Sequence, residues 1–400
     1  MEDEASEAVR RQYEAYSYPS PLDDVSKDRL AADPSAAGVQ IWPCGKPRED
    51  LRILSAGCGT HQAAMLAFHN RSCSVLGIDL SGASLSHQER LREKHTLSNL
   101  ELKQMSLLDV GTLYQSFDYI VCTGVLHHLS DPDAGLRALA SVLAPGGRMY
   151  LMLYARAARA GVYLLQEAFR LMQIRQTSDD IALARSALQF APKDHHVASY
   201  GRKSHGEMRS DAAFVDSFLH PQDRAFSIAE IMEFLDRAHL SFAGWQDNGK
   251  YYPDWFVSGD VLKRIRSLPL LDQWTVIDNL TLFNIKHDFL VCRAEDSMQT
   301  IRFDDNDWPT FIPSLRKELS TTGNAEEGWK IFHGEITTPL TRPEAFLFSQ
   351  IDSTRSIADI LATPALARNP PEDRTQFGLQ FFSRMWRLGH VFYSRAPAAN

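Results

Sequence analysis

Between residues 50 and 155, short apolar runs alternate with stretches in which apolar residues recur every three or four positions. Buried strands alternating with amphipathic helices predict an α/β protein with a doubly wound, largely parallel sheet. Strands are predicted over 52–55, 74–78, 100–104, 117–122 and 148–154, and helices over 62–70, 84–95 and 132–143. The last helix is expected to stop at Ala144-Pro-Gly-Gly147, where proline and glycine turn the chain.

After Tyr154 the pattern becomes helical. Val162, Leu165, Phe169 and Met172 form a stripe at spacings of three and four, which predicts a core-facing helix over 161–176, and a second helix is predicted over 181–190. The polar, histidine-rich stretch 192–210 is long for a connection and reads as a lid or substrate loop. Ser227 and Glu230 have capping-box spacing ahead of Ile231-Met-Glu-Phe-Leu235. Two more strands, at 240–245 and 288–293, complete a seven-stranded sheet if the helical segments around them are insertions. The domain organisation expected is an N-terminal helix and lid segment over 1–47, a sheet domain over 48–295 with insertions at about 155–225 and 250–283, and a C-terminal domain over 296–400. That last domain, with helices at 342–351, 356–361 and 374–388 and a strand at 389–393, reads as a small α+β winged-helix-like module.

Composition narrows the class. With 400 residues, 44% of them hydrophobic, the chain can bury a large core and a smaller second one. A net charge of −8 argues against a surface dedicated to nucleic acid, which leaves a basic patch or stripe. The five cysteines, Cys44, Cys58, Cys73, Cys122 and Cys292, are scattered and never form a Cys-x-x-Cys pair, so neither a disulfide framework nor a zinc site is suggested and no metal is expected. The acidic N-terminus and the lack of a long apolar run make the expected location cytoplasmic, without membrane association.

The chemistry is concentrated in Leu51-Arg-Ile-Leu-Ser-Ala-Gly-Cys-Gly-Thr60, with Asp79 following at the end of the second strand. Gly57 and Gly59 lack a Cβ, so the chain can turn sharply after a strand and let a ligand approach the main chain. A carboxylate at Asp79 can accept both hydroxyls of a ribose, which points to an adenosine-containing cofactor. A nicotinamide cofactor fits poorly, because the third glycine of a dinucleotide fingerprint would fall at Gln62.

The segments Phe117-Asp-Tyr-Ile-Val-Cys-Thr-Gly-Val-Leu-His-His-Leu-Ser-Asp-Pro132 and Leu143-Ala-Pro-Gly-Gly-Arg148 closely resemble the fourth- and fifth-strand motifs of class I S-adenosylmethionine-dependent methyltransferases, especially the small-molecule type of quinone biosynthesis. The resemblance implies a Rossmann-like methyltransferase sheet and S-adenosyl-L-methionine as cofactor. It places Gly57, Gly59 and Thr60 at the cofactor turn, Asp79 and Leu80 at the ribose, Ser106 and Leu107 beside adenine, and Thr123 with Gly124 at the sulfonium end. Tyr13, on a leading helix of the kind that closes over the cofactor, would reach the methionine carboxylate, with Tyr16 and Tyr18 lining the acceptor pocket; packing of a terminal helix explains the tyrosines equally well. Three positions depart from the family: Ser55 stands where an acid commonly meets the methionine amino group, His61 where a glycine is frequent, and Ser106 where an acid is often found, with Asp109 as a substitute.

Methyl transfer from a sulfonium needs positioning, exclusion of water and sometimes removal of a proton. His128 and His220 are the candidate catalytic residues, with packed structural histidines as the alternative; for His127 the structural role leads. Asp216, Asp223 and Arg224 make a polar group around His220 that interrupts an apolar pattern and reads as part of an acceptor site. His195, His196 and His205 read as exposed loop histidines ahead of ligands or bases, and Tyr251, Tyr252 and Trp255 as either an aromatic wall or core. Residues 214–245 faintly resemble the regulatory region of some bacterial protein-lysine methyltransferases, and 338–360 the winged modules that hold leader peptides. The expected activity is therefore methyl transfer to an O- or N-nucleophile of a small-molecule or peptide acceptor. The alternatives are a protein-lysine methyltransferase or a non-catalytic cofactor-binding regulator, and a nucleic-acid methyltransferase ranks behind them.

Overall fold

The computed structural model describes residues 4–34, 41–42, 50–204, 210–299, 301–304, 306–324, 328–334, 336–366 and 370–395. Seven strands form one sheet: β1 (Arg52–Ala56), β2 (Ser74–Asp79), β3 (Leu100–Gln104), β4 (Phe117–Thr123), β5 (Leu143–Tyr154), β6 (Leu240–Trp245) and β7 (Lys286–Arg293). Their order is β3-β2-β1-β4-β5-β7-β6, with β1 to β5 parallel and β7 antiparallel to β5. Strand order reverses between β1 and β4, which opens a crevice at the carboxyl ends of these strands. The inner strands are apolar because both faces are covered: Ile53, Leu54, Tyr119, Ile120 and Val121 are fully buried.

The helices around the sheet begin with α1 (Glu4–Ala15), α2 (Gln62–His69), α3 (Gly82–Lys94) and α4 (Pro132–Ser141). A Cβ at Gly77 would lie 2.7 Å from the Cβ of Ala63, so α2 rests directly on β2. The close helix–strand approach that a dinucleotide fold obtains from a glycine on its helix is supplied here from the strand. The predicted turn at 144–147 lies within β5 as a register shift between the pairs Phe117–Leu143 and Tyr119–Arg148, with Gly146 at φ +70°.

Between β5 and β6 lie α5 (Arg156–Leu171), α6 (Ser178–Leu188), α7 (Val197–Lys203), α8 (Asp211–Phe218) and α9 (Ile228–Arg237). Helix α5 starts five residues before the expected Gly161. That glycine sits mid-helix because a Cβ there would come within 2.2 Å of the Val197 main-chain nitrogen, so it marks a helix contact rather than a helix start. The stretch expected to be a lid or loop is partly helical, with His195 Nδ1 accepting the Val197 N–H at the start of α7. His205 lies outside the described residues. The capping box of Ser227 and Glu230 opens α9 as the spacing predicts.

Two compact units emerge, one of residues 1–35, 48–243 and 278–297, the other of 36–47, 244–277 and 298–400. The second holds a two-stranded sheet of β8 (Phe311–Leu315) with β12 (Val391–Arg395), and a three-stranded sheet of β9 (Ser320–Asn324), β10 (Gly328–His333) and β11 (Ile336–Leu340). Its helices Arg342–Ser349, Ile357–Leu361 and Pro371–Arg387 close over a core that includes Trp308, Phe311, Ile331, Phe381 and Phe382. Tyr251 stacks on Trp245 at 3.7 Å, Tyr252 meets Trp274 and Trp386, and Trp255 packs against the core, so these aromatics are structural. Among the described residues no helix is long and apolar enough to cross a membrane.

Two outcomes follow. Gly161→Ala should lower the thermal midpoint, with a loss on the order of 1–3 kcal/mol from overpacking; an unchanged midpoint would mean that α5 and α7 do not touch there. His390 is fully buried beside Thr338 Oγ1 at 2.7 Å. Burial, with His333 and Arg316 nearby, pushes its pKa down from 6.5 to about 3. Between those values the unfolded chain binds a proton that the folded chain refuses. The stabilisation is therefore complete above about pH 6.5 and is lost as pH falls, by about 1.4 kcal/mol per pH unit. Denaturation curves from pH 7.5 to 4.5 should be steeper in pH for the wild type than for His390→Gln; equal slopes would contradict this.

Candidate active site

A cavity opens at the carboxyl ends of β1, β2, β4 and β5, lined on one side by Val9, Arg10 and Tyr13 of α1 and by Tyr18 and Pro19 after it. The glycine turn forms its floor. Gly57 has φ +69° and a Cβ there would meet Val125 Cγ2 at 2.3 Å; Gly59 has φ +54° and its Cβ would meet Pro19 Cδ at 3.1 Å. Any other residue at Gly57 would be strained at this φ and would have to displace the Val125 side chain.

Asp79 ends β2 beside this turn. One of its carboxylate oxygens accepts the Gly59 N–H and the other the Ser81 N–H, both at 2.8 Å. Burial pushes its pKa up while these main-chain donors pull it down. Each oxygen keeps a lone pair, an arrangement suited to a vicinal diol. Leu80, Ser106 and Leu107 line the same end, and Ser106 Oγ caps the turn after β3 by accepting the Leu108 N–H at 3.2 Å. Asp109 is exposed and is not among the lining residues.

Toward β4 the cavity is bordered by Thr123, Gly124 and Gln62. Ser55 and Thr60 are fully buried behind the wall: Ser55 Oγ donates to Gln62 Oε1 at 2.9 Å, and Thr60 Oγ1 donates to the Pro19 carbonyl at 2.8 Å. His61 lines the cavity, and burial, reinforced by His87, pushes its pKa down to about 4.

The end beneath β5 is built around Asp216 of α8. Tyr13 donates its hydroxyl to Oδ1 and Tyr154 to Oδ2, both at 2.9 Å, and all three residues line the cavity. Burial pushes the Asp216 pKa up, opposed by His128 and the two phenols. His128 also lines the cavity, while His220 stacks on its ring at 3.8 Å and completes the polar group from behind.

The main chain of Gln222 sets the tautomers of these two histidines. Its carbonyl can only accept, so His128 Nδ1, 2.9 Å away, carries the hydrogen. Its N–H can only donate, so His220 Nδ1, 3.1 Å away, is bare. Burial holds His220 well below its ordinary pKa, hence neutral with its hydrogen on Nε2, 3.4 Å from the Tyr13 oxygen. With the hydrogen of His128 on Nδ1, its Nε2 is the nitrogen that can accept a proton. His128, Asp216 and His220 bring three ligand-type atoms within 4.8 Å of one another.

Each cation along this cavity has a carboxylate of its own. Arg159 lies over the Tyr154 ring at 3.6 Å and pairs with Asp223 at 3.4 Å, Lys286 is 3.7 Å from Asp288, and Arg10 pairs with Glu7 and Glu14. Among the described residues no cation lies within ion-pair distance of Asp216.

Several expected contributors lie elsewhere. Tyr16 donates to the Gln176 carbonyl at 2.9 Å and packs into the helical core, so Tyr18 alone of that pair lines the cavity. Asp223 serves Arg159, and Arg224 faces Glu230 at 3.6 Å. His127 is fully buried against the Tyr154 ring at 3.9 Å, with neither ring nitrogen hydrogen-bonded. His195 and His196 are not among the lining residues. Gln62, Tyr154 and Arg159 were not anticipated as site residues; a buried arginine just past a strand end was the one signal available for the last.

Known proteins similar to this chain include methyltransferases. Residues 54–149 match the family model described as a methyltransferase domain. An uncharacterized protein of Synechococcus is 31% identical over 391 residues, covering 92% of this chain and 90% of that one. A ubiquinone biosynthesis O-methyltransferase of Pseudomonas fluorescens is 26% identical over 124 residues, 31% of this chain and 53% of its own length. The solved structure of PKMT2 from Rickettsia typhi superposes with a TM-score of 0.64 at 17% identity, covering 95% of this chain and 77% of that one. A second PKMT2 structure, in complex with AdoHcy, gives the same TM-score at 16% identity.

The cradle fits S-adenosylmethionine: a glycine turn that a Cβ would fill, and a buried carboxylate with lone pairs to spare. Asp79→Ala should weaken calorimetric binding of S-adenosylmethionine by about 10- to 100-fold, the scale of hydrogen bonds to a charged group. Unchanged affinity would separate Asp79 from the ribose.

Proposed function

This chain is a class I S-adenosylmethionine-dependent methyltransferase of one family with the Synechococcus protein, and we propose that its acceptor is an amine nitrogen on a polypeptide side chain, of the lysine class. The observation that carries the reading is Asp216, a buried carboxyl group at the cavity wall whose hydrogen-bond donors are the hydroxyls of Tyr13 and Tyr154 and which makes no ion pair within 4.0 Å among the described residues, Arg159 being paired with Asp223. A buried carboxylate in this state favours a cationic guest. Tyr13, Tyr18 and Tyr154 give the same end aromatic walls, which suit an ammonium and its alkyl stem. The likeness to PKMT2, a protein-lysine methyltransferase, extends over 95% of this chain, well beyond residues 54–149. It is a likeness of fold, and the chemistry of the proposal rests on Asp216.

In this reading S-adenosylmethionine supplies an electrophilic methyl group on a sulfonium, and the chain's residues prepare the nucleophile. Asp216 accepts N–H bonds from the incoming ammonium and orients it. His128 Nε2 would take one proton, leaving the nitrogen with the lone pair that forms the new N–C bond as the S–C bond breaks and its electron pair stays on sulfur, giving a neutral thioether. Tyr13 and Tyr154 hold Asp216 in place and favour its ionised form against the effect of burial, and the Arg159 guanidinium holds the Tyr154 ring from its face. The match to ubiquinone O-methyltransferases spans 124 residues of this chain, so it bears on the cofactor half and leaves the acceptor end open.

The test is to incubate the enzyme with methyl-labelled cofactor and fractionated lysate, then map the label. Label on lysine Nε of proteins is expected, whereas label confined to small organic hydroxyl compounds would overturn the proposal. Asp216→Asn should keep S-adenosylhomocysteine affinity within about threefold and lower turnover by about 100-fold or more, the range for loss of a positioned acid–base or orienting group. Equal turnover would remove Asp216 from the acceptor site.

A further inference from the structure

The sheet order lays the cavity out in sequence: Asp79, Leu80, Ser106 and Leu107 under β2 and β3, Gln62 and Thr123 over β1 and β4, and Asp216 beneath β5. With ribose and adenine at the first end and the acceptor at the last, the methionine portion of the cofactor falls over β1 and β4. That portion carries an ammonium, and the residue before the last of β1 there, Ser55, is a serine instead of an acid. Ser55 does not line the cavity; it is fully buried, and its hydroxyl is turned into Gln62.

Gln62 opens α2 and spans both strands. Its amide bonds Ser55 Oγ at 2.9 Å on one side and Thr123 Oγ1 at 2.6 Å on the other. Both hydroxyls can donate or accept, so the bridge closes whichever way the amide is turned. Two polar capacities then remain on the amide at the cavity: one carbonyl lone pair and one N–H.

We propose that Gln62, braced by Ser55 and Thr123, receives the α-ammonium of the cofactor and takes over with a neutral amide the work of a carboxylate. The buried serine fixes the rotamer of the glutamine, and the glutamine presents the acceptor atom. The methionine end of the pocket is thereby neutral and lies between the carboxyl groups of Asp79 and Asp216. This inference rests on the cofactor assignment and is independent of the acceptor reading.

The test is calorimetric and needs no turnover. S-adenosylhomocysteine and its analogue lacking the α-amino group are titrated into wild type, Gln62→Met and Gln62→Glu. In the wild type, loss of the amino group should weaken binding about tenfold or more, the scale of one charge-assisted hydrogen bond. Gln62→Met should bind the two ligands with nearly equal, reduced affinity. Gln62→Glu, which can still accept from both hydroxyls, should tighten S-adenosylhomocysteine and enlarge the penalty for the analogue. A penalty equal in wild type and both variants would overturn the inference and leave Gln62 as a brace. If Gln62→Met fails to fold, the Gln62→Glu comparison alone decides. If the wild type binds neither ligand, the cofactor assignment itself fails, which is a distinct result.

Discussion

Asp216 is the constraint around which this site is organised. A carboxylate removed from water is costly unless its lone pairs are met. Here the two inward donors come from distant parts of the chain: Tyr13 from the N-terminal helix and Tyr154 from the end of β5. Holding those phenols in place brings α1 over the cavity and α8 against the sheet edge. Gln12 and Tyr16 add bonds from the same N-terminal segment to Gln176, so the cover is tied down at several points. The remaining lone pairs of Asp216 and Nε2 of His128 are what the proposed acceptor end would offer to a guest.

The carboxyl edge of the sheet thus reads as a gradient of chemistry. At one end a carboxylate fixed by main-chain N–H groups suits a diol. In the middle, a hydroxyl–amide–hydroxyl bridge is neutral. At the far end a second carboxylate is held among aromatic rings and imidazoles of defined tautomer. The glycine turn serves all three regions, since Gly57 packs against Val125 just after β4 and Gly59 against Pro19 of the N-terminal segment.

How much of this was legible in the chain depended on how local the signal was. The strands of the sheet were readable because burial on both faces leaves continuous apolar runs. The cofactor turn was readable because its parts lie within thirty residues of one another. Helix α5 was misplaced because Gly161, an ordinary breaker by composition, is required by main-chain contact with Val197, which no local pattern records. The strands β9 to β11 went unread because Ser-Thr-Thr-Gly-Asn324 and its neighbours lack apolar alternation, their pairing being made by register across short connections, and β8 went unread because its partner is β12, far along the chain. The acceptor end was legible only as scattered polar residues. Tyr13, His128, Tyr154 and Asp216 meet across about 200 positions of sequence, and the opposite tautomers of His128 and His220 follow from the main chain of Gln222, which carries no side-chain signal at all.

The central claim is that the acceptor end is built for an amine nitrogen. Its most direct test is the affinity of two bisubstrate compounds in which the adenosyl group is joined to an alkyl chain through nitrogen in one and oxygen in the other. The account predicts that wild-type enzyme binds the nitrogen-linked, cationic compound at least tenfold more tightly and that Asp216→Asn abolishes the difference. Equal binding of the two by the wild type, or a preference that survives Asp216→Asn, would contradict it.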